Sequence, residues 1–195
     1  MKQESLDQSR GLSPSAQSGF TIIELVLVVV IIGIVAAFSL PKIDYTKYRV
    51  NSSMRGLGTT LLGAQRRAVS RQHDVIVSFI QAQNAIRIHE DENNNGEVDG
   101  SERTRRLPLG EHVVFGRGST PAYTGFAGGP IILTRTVGGL PALTFHRSGS
   151  ASEMGGIYLT SYRGLLGDAR LITIERSTGR VSWLSYSSSR WEQGF

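Results

Sequence analysis

The stretch SGFTIIELVLVVVIIGIVAAFSLPK, residues 18–42, decides how this chain is read. Residues 25–38 form an uncharged apolar run of 14, and residues 20–23 extend it to 19, interrupted once by Glu24. As a helix this is roughly 28 Å, close to a bilayer core of about 30 Å. A secretory signal peptide fits it poorly. The preceding segment sets Lys2 and Arg10 against Glu4 and Asp7, and the small-x-small candidate Ala37-Phe38-Ser39 runs into Leu40-Pro41. Glu24 is the informative residue. Thr21 and Glu24 have capping-box spacing, but an ionised carboxylate at apolar depth costs about 2.5 kcal/mol or more. No Lys or Arg lies between Phe20 and Pro41, so the one cation the segment can supply is an N-terminus. Cleavage after Gly19 would create it, as the α-amino group of Phe20.

The run Gly19-Phe20-Thr21-Ile22-Ile23-Glu24-Leu25 before an apolar helix resembles the class III signal of type IV pilins and pseudopilins. The resemblance implies that a prepilin peptidase cuts between Gly19 and Phe20 and N-methylates Phe20. It implies that Glu24 steers docking onto neighbouring pilins or pseudopilins. It also implies an inner-membrane assembly platform as partner, and a single-pass bacterial inner-membrane protein with its C-terminal domain in the periplasm.

Beyond Pro41, Val50, Met54, Leu57, Leu61, Leu62, Ala64, Ala68 and Val69 recur mostly at spacings of three or four, with Arg55, Gln65, Arg66 and Arg71 on other faces. The pattern predicts one helix over 20–71, kinked at Pro41. Arg66, Arg67 and Arg71 read as a solvated face near a helix C-terminus, where cations suit the dipole. From His73 onward, strand signals at 74–80, 85–89, 112–115, 130–136, 142–145, 157–162, 171–175 and 181–186 alternate with Gly-rich gaps. Ser177-Thr178-Gly179 marks a hairpin. The expected fold is α+β, with a long N-terminal membrane helix followed by an all-β, sandwich-like antiparallel domain. Its parts are a leader (1–19), a pilin-type helix (20–71, spanning at 20–41) and a periplasmic β domain (72–195). The layout and the stretches LLGAQRRAVSR and LITIERSTGRVSW resemble the GspH/FimT group of pseudopilins. That resemblance implies a minor pseudopilin of a type II secretion system, H-type, built into or initiating a periplasmic pseudopilus. A FimT-like minor pilin engaging DNA is the alternative.

Composition bounds the chemistry loosely. The chain has 195 residues, a net charge of +5 and no cysteine, which removes disulfide and thiolate chemistry. No cofactor is required by this reading. Calcium is the one candidate: DENNNGEVDGSE, residues 91–102, places Asp91, Asn93, Asn95, Glu97 (through its carbonyl), Asp99 and Glu102 at the ligand positions of a twelve-residue calcium loop, with Gly96 at its turn. Its flanks read as strand, so a plain acidic turn is the competing reading. Arg176, Arg180 and Arg190 lie among Trp183, Tyr186 and Trp191, an interleaving that suits nucleic acid. The competing reading there is alternating strand faces with half-buried aromatics. His73, His89, His112 and His146 show no catalytic spacing, and Ser148 has no nucleophile signature around it, so the chain is read as non-enzymatic.

Overall fold

The computed structural model describes residues 19–39 and 45–194. Two compact units divide the chain, Met1–Ile43 and Asp44–Phe195. The expected leader (apart from Gly19) and the expected kink at Pro41 fall outside the described residues.

In the first unit, helix α1 spans Ile22–Ser39. The Thr21 hydroxyl caps it, accepting from the Glu24 N–H at 3.3 Å. Its β-branched residues have modest helix propensity. Nor does an amphipathic stripe hold it, because the helix is apolar nearly all round.

The second unit begins with helix α2, Tyr45–Arg71. Val50, Met54, Leu57, Leu61, Ala64 and Ala68 are buried, at spacings of four, three, four, three and four, which makes one stripe. Gly58 shares that stripe for a steric reason: a Cβ there would come within 3.1 Å of the Trp183 ring. Gln72, with φ of 59°, adopts the left-handed conformation that ends the helix.

Strands follow, all antiparallel. The first sheet has the order β3-β2-β1-β7-β6, from β1 (Asp74–Ile80), β2 (Ala85–Asp91), β3 (Thr104–Pro108), β6 (Thr136–Val137) and β7 (Leu140–Phe145). The second has the order β11-β10-β9-β8-β4, from β4 (Val113–Phe115), β8 (Gly155–Ser161), β9 (Arg170–Ile174), β10 (Val181–Ser187) and β11 (Arg190–Gln193). Strand β5 (Ile131–Ile132) pairs with β8. One core joins the α2 stripe to Val75, Val77 and Phe79 of the first sheet and to Ile157, Leu159, Ile172 and Ile174 of the second. Each such fully buried aliphatic side chain contributes about 1.5–3 kcal/mol. The fold is thus the expected α+β arrangement, with both sheets sharing their core with a helix.

Three strand readings need correction. The single run expected at 130–136 is two short strands, because the Glu153 carboxylate accepts from the N–H groups of Thr134 and Arg135, which a continuous ladder would use. Strands β3 and β11 were not expected. Both are edge strands with exposed, charged positions, and such strands carry little apolar alternation.

Candidate functional site

The residues expected at the cleavage step are exposed. Gly19 and Phe20 precede α1 without regular structure, and Phe20 is 80% exposed. A Cβ on Gly19 would meet nothing within 4 Å, and its φ is not positive. The fold therefore sets no demand for glycine there, and any demand comes from something that reads the segment. Along α1 the apolar side chains from Ile22 to Val35 are 45–85% exposed. Such a surface is unfavourable in water and suits lipid or neighbouring helices. Only half of the capping box forms: Thr21 caps Glu24, while the Glu24 carboxylate has no partner among the described residues. Among the described residues no helix is long and apolar enough to cross a membrane.

The acidic loop at 91–102 is closed by its own donors. Asp91 accepts from the N–H groups of Asn95 (3.0 Å) and Gly96 (2.8 Å). Glu102 accepts from the N–H groups of Glu92 and Asn93 and lies 2.6 Å from His89 Nε2. Asn93 and Asn95 each donate a side-chain N–H to Asp99 at 2.9 Å. These two bonds, Asn93 first, hold the Asp99 carboxyl below its ordinary value. Among the described residues no group of three or more His, Asp or Glu side chains is arranged to hold a metal. The Asn amides turn N–H toward Asp99, so a calcium cage would require them to rotate and present oxygen instead.

The C-terminal arginines are not gathered. Arg176 and Arg180 flank the β9–β10 turn, whereas Arg190 begins β11 beyond the other end of β10 and pairs with Glu192 at 2.6 Å. Seven residues of β10 separate the two ends, roughly 23 Å. The aromatics are engaged. Trp191 donates to the Pro121 carbonyl and packs against Tyr123, Tyr158 and Tyr186. Trp183 lies over Gly58.

Two contacts explain sequence features that carried no role before. Gln65 Nε2 donates to the carbonyls of Gly149 (2.6 Å) and Thr178 (2.8 Å). It thereby ties together the two stretches that carry the GspH/FimT resemblance, one on α2 and one in the β9–β10 hairpin. Gly179, with φ of 62°, sits against Gln65 and the Gly149 carbonyl, where a Cβ has no room. The solvated reading of the helix arginines needs correction. Arg71 and Arg67 approach the buried Glu90 carboxylate at 2.9 and 3.6 Å, and His73 Nε2 lies 3.7 Å from it. A signal existed: Glu90 continues the inward parity of Ile86 and Ile88, and an inward carboxylate requires cations.

The histidines also face carboxylates. His89 bridges Glu102 and Thr104, and His146 Nδ1 lies 2.7 Å from Asp74. Asp74 could orient His146 in a catalytic role, but the Ser148 hydroxyl is bonded to Ser150 and not to His146.

Residues 14–40 match the Prokaryotic N-terminal methylation motif. No curated protein sequence matches the chain. Among solved structures it is similar to the minor pseudopilin EpsH of the type 2 secretion system of Vibrio cholerae. One EpsH structure shows 13% identity and a TM-score of 0.49, over 70% of this chain and 97% of that one. A second shows 15% identity and a TM-score of 0.48, over 74% and 99%. It is also similar to the type IV minor pilin FimU of Pseudomonas aeruginosa, at 14% identity and a TM-score of 0.46, over 74% and 92%. The methylation motif thus stands at the head of an apolar helix, and the second unit is an antiparallel β domain built on a second helix.

Proposed function

We propose that the chain is a minor pseudopilin of a type II secretion system, a non-enzymatic subunit built into or initiating the periplasmic pseudopilus for protein export. In this reading prepilin peptidase cuts between Gly19 and Phe20 and methylates Phe20. Residues 20–41 lie in the inner membrane, in line with the anchoring role that the N-terminal motif points to, and the β domain stands in the periplasm. The partners are other pseudopilins and the inner-membrane assembly platform. One observation carries the proposal: α1 exposes its apolar side chains on every face, and its one carboxylate, on Glu24, has no partner among the described residues. A neighbouring subunit meets both needs, with helices to pack against and the Phe20 amine to neutralise Glu24. A neighbour out of register leaves a buried charge unpaired, which costs about 3–5 kcal/mol. Glu24 therefore sets stagger more than it adds stability.

The test is Glu24→Ala in cells that carry the secretion apparatus. The variant should still insert and still be cleaved after Gly19, because its helix is more apolar. Cross-linking to partner pseudopilins should fall well below wild type. Wild-type cross-linking would leave Glu24 a capping residue and remove the register role.

A further inference from the structure

The inner face of the second sheet changes character along β10. Val181 and Trp183 belong to the core, whereas Ser185 and Ser187, next on the same face, do not. Arg170 is the register partner of Ser185 and is 6% exposed. Across from them α2 offers Lys47 and, one turn on, Asn51. Lys47, Arg170, Ser185 and Ser187 border a notch of about 500 Å3 that extends to Ser188 and Ser189 and has no acidic residue in its described lining.

Its charge is balanced only in part from within, by Asp168 beside Arg170. Arg170 donates through Nε to Asn51 (2.7 Å) and through Nη1 to the carbonyls of Gly167 and Ala169. Nη2 has no hydrogen-bond partner among the described residues. Burial holds the Arg170 guanidinium below its ordinary value, and the Asp168 charge only partly opposes this. Asp168 itself is engaged by the Ser161 hydroxyl. Lys47 has no ion-pair partner among the described residues. It also stands in the first turn of α2, which holds no acid. The β10–β11 turn adds Ser188 and Ser189 at φ of 49° and 65°, in the kind of two-residue loop where Asn-Gly is usual.

We propose that this notch is an oxyanion site that takes a phosphate group, held by the Arg170 guanidinium, the Lys47 ammonium and the hydroxyls of Ser185, Ser187 and Ser189. The donors outnumber what one carboxylate can accept, and they suit the several oxygens of a phosphate. Two sources share this chemistry, the headgroup of an anionic phospholipid and free phosphate. The site is independent of the pseudopilin reading, because it stands on the geometry of the second unit alone.

The test uses the full chain in a neutral maltoside detergent at constant ionic strength, with thermal unfolding as the readout. One arm adds inorganic phosphate in exchange for chloride, and the other dopes the micelles with phosphatidylglycerol. Wild type should gain Tm with at least one of them, by mass action. Lys47→Gln, at an exposed position, should weaken the response about tenfold, the loss of one charge-assisted contact. Ser187→Asp places a carboxylate at the notch and should abolish the response while the protein stays folded. A response at lower concentration of phosphatidylglycerol than of inorganic phosphate assigns the site to a lipid headgroup, and the reverse assigns it to free phosphate. No gain in Tm in either arm, or equal gains in wild type and both variants, overturns the proposal.

Discussion

Gly179→Ala puts the Gln65 staple to a quantitative test. Gly179 has φ of 62°, a conformation that costs a residue with a Cβ about 1 kcal/mol. The new Cβ would stand 2.5 Å from Gln65 Nε2 and press on the Gly149 carbonyl, so the hairpin must move away from α2. That movement breaks the two bonds from Gln65 to Gly149 and Thr178, worth about 1 kcal/mol each. The expected loss is about 3 kcal/mol, or roughly 6–10 °C in Tm for a unit of this size. Gln65→Ala alone removes the two bonds and should cost about 2 kcal/mol. Because both substitutions break the same staple, the double variant should be little worse than Gly179→Ala, with a coupling of about 2 kcal/mol. Thermal unfolding of the four proteins, in one detergent and buffer, measures the cycle. Additive losses, or a loss below about 1 kcal/mol for Gly179→Ala, would refute the idea that Gln65 binds the hairpin to the helix.

Three other expectations are open to measurement. The calcium reading of residues 91–102 predicts a higher Tm at several millimolar calcium, lost in Glu102→Gln; an unchanged Tm leaves the loop a turn closed by its own N–H donors. Burial raises the Glu153 carboxyl, but bonds from the Thr134 hydroxyl and the N–H groups of Thr134 and Arg135 outweigh it and hold the group below its ordinary value. A depressed carboxyl stabilises above its unfolded pKa of about 4.3, and the gain disappears as pH falls through the folded value. Glu153→Gln should therefore flatten the acid limb of a stability–pH curve, and an unchanged limb would contradict this. Arg176 and Arg180 stand away from Arg190, and the tryptophans are packed, so a gel shift with single- or double-stranded DNA should show no salt-sensitive retardation. Retardation lost in Arg176→Ala would favour the FimT-like pilus reading instead.

What the sequence made legible followed from periodicity and from a local signal. The 50-54-57-61-64-68 stripe declared the packed face of α2, and alternation located β1, β2 and the β9–β10 hairpin to within a residue or two. The N-terminal methylation motif was readable because a Gly-Phe step, a carboxylate and an apolar run occur together. The missed elements lack such signals. Strand β3 reads Thr-Arg-Arg-Leu-Pro, and only its pairing to β2 makes it a strand. The break between β5 and β6 depends on Glu153, some 20 residues away in sequence. Gln65, Glu90 and Arg170 owe their roles to partners 84, 19 and 119 residues distant. A polar residue's partner across such distances cannot be inferred from spacing. The arginine cluster on α2 shows the cost: the local rule assigned it to solvent, whereas a buried carboxylate on β2 claims two of its members.

The central claim is that Gly19–Phe20 is a processing site whose product assembles through Phe20 and Glu24. It is tested most directly by mass spectrometry of the N-terminal peptide from protein extracted from membranes of cells that carry a prepilin peptidase. The account predicts a chain that begins at Phe20 and is heavier by one methyl substitution at its amine. A peptide that retains an intact Gly19–Phe20 bond, or a mature chain that begins near Leu40, would contradict it.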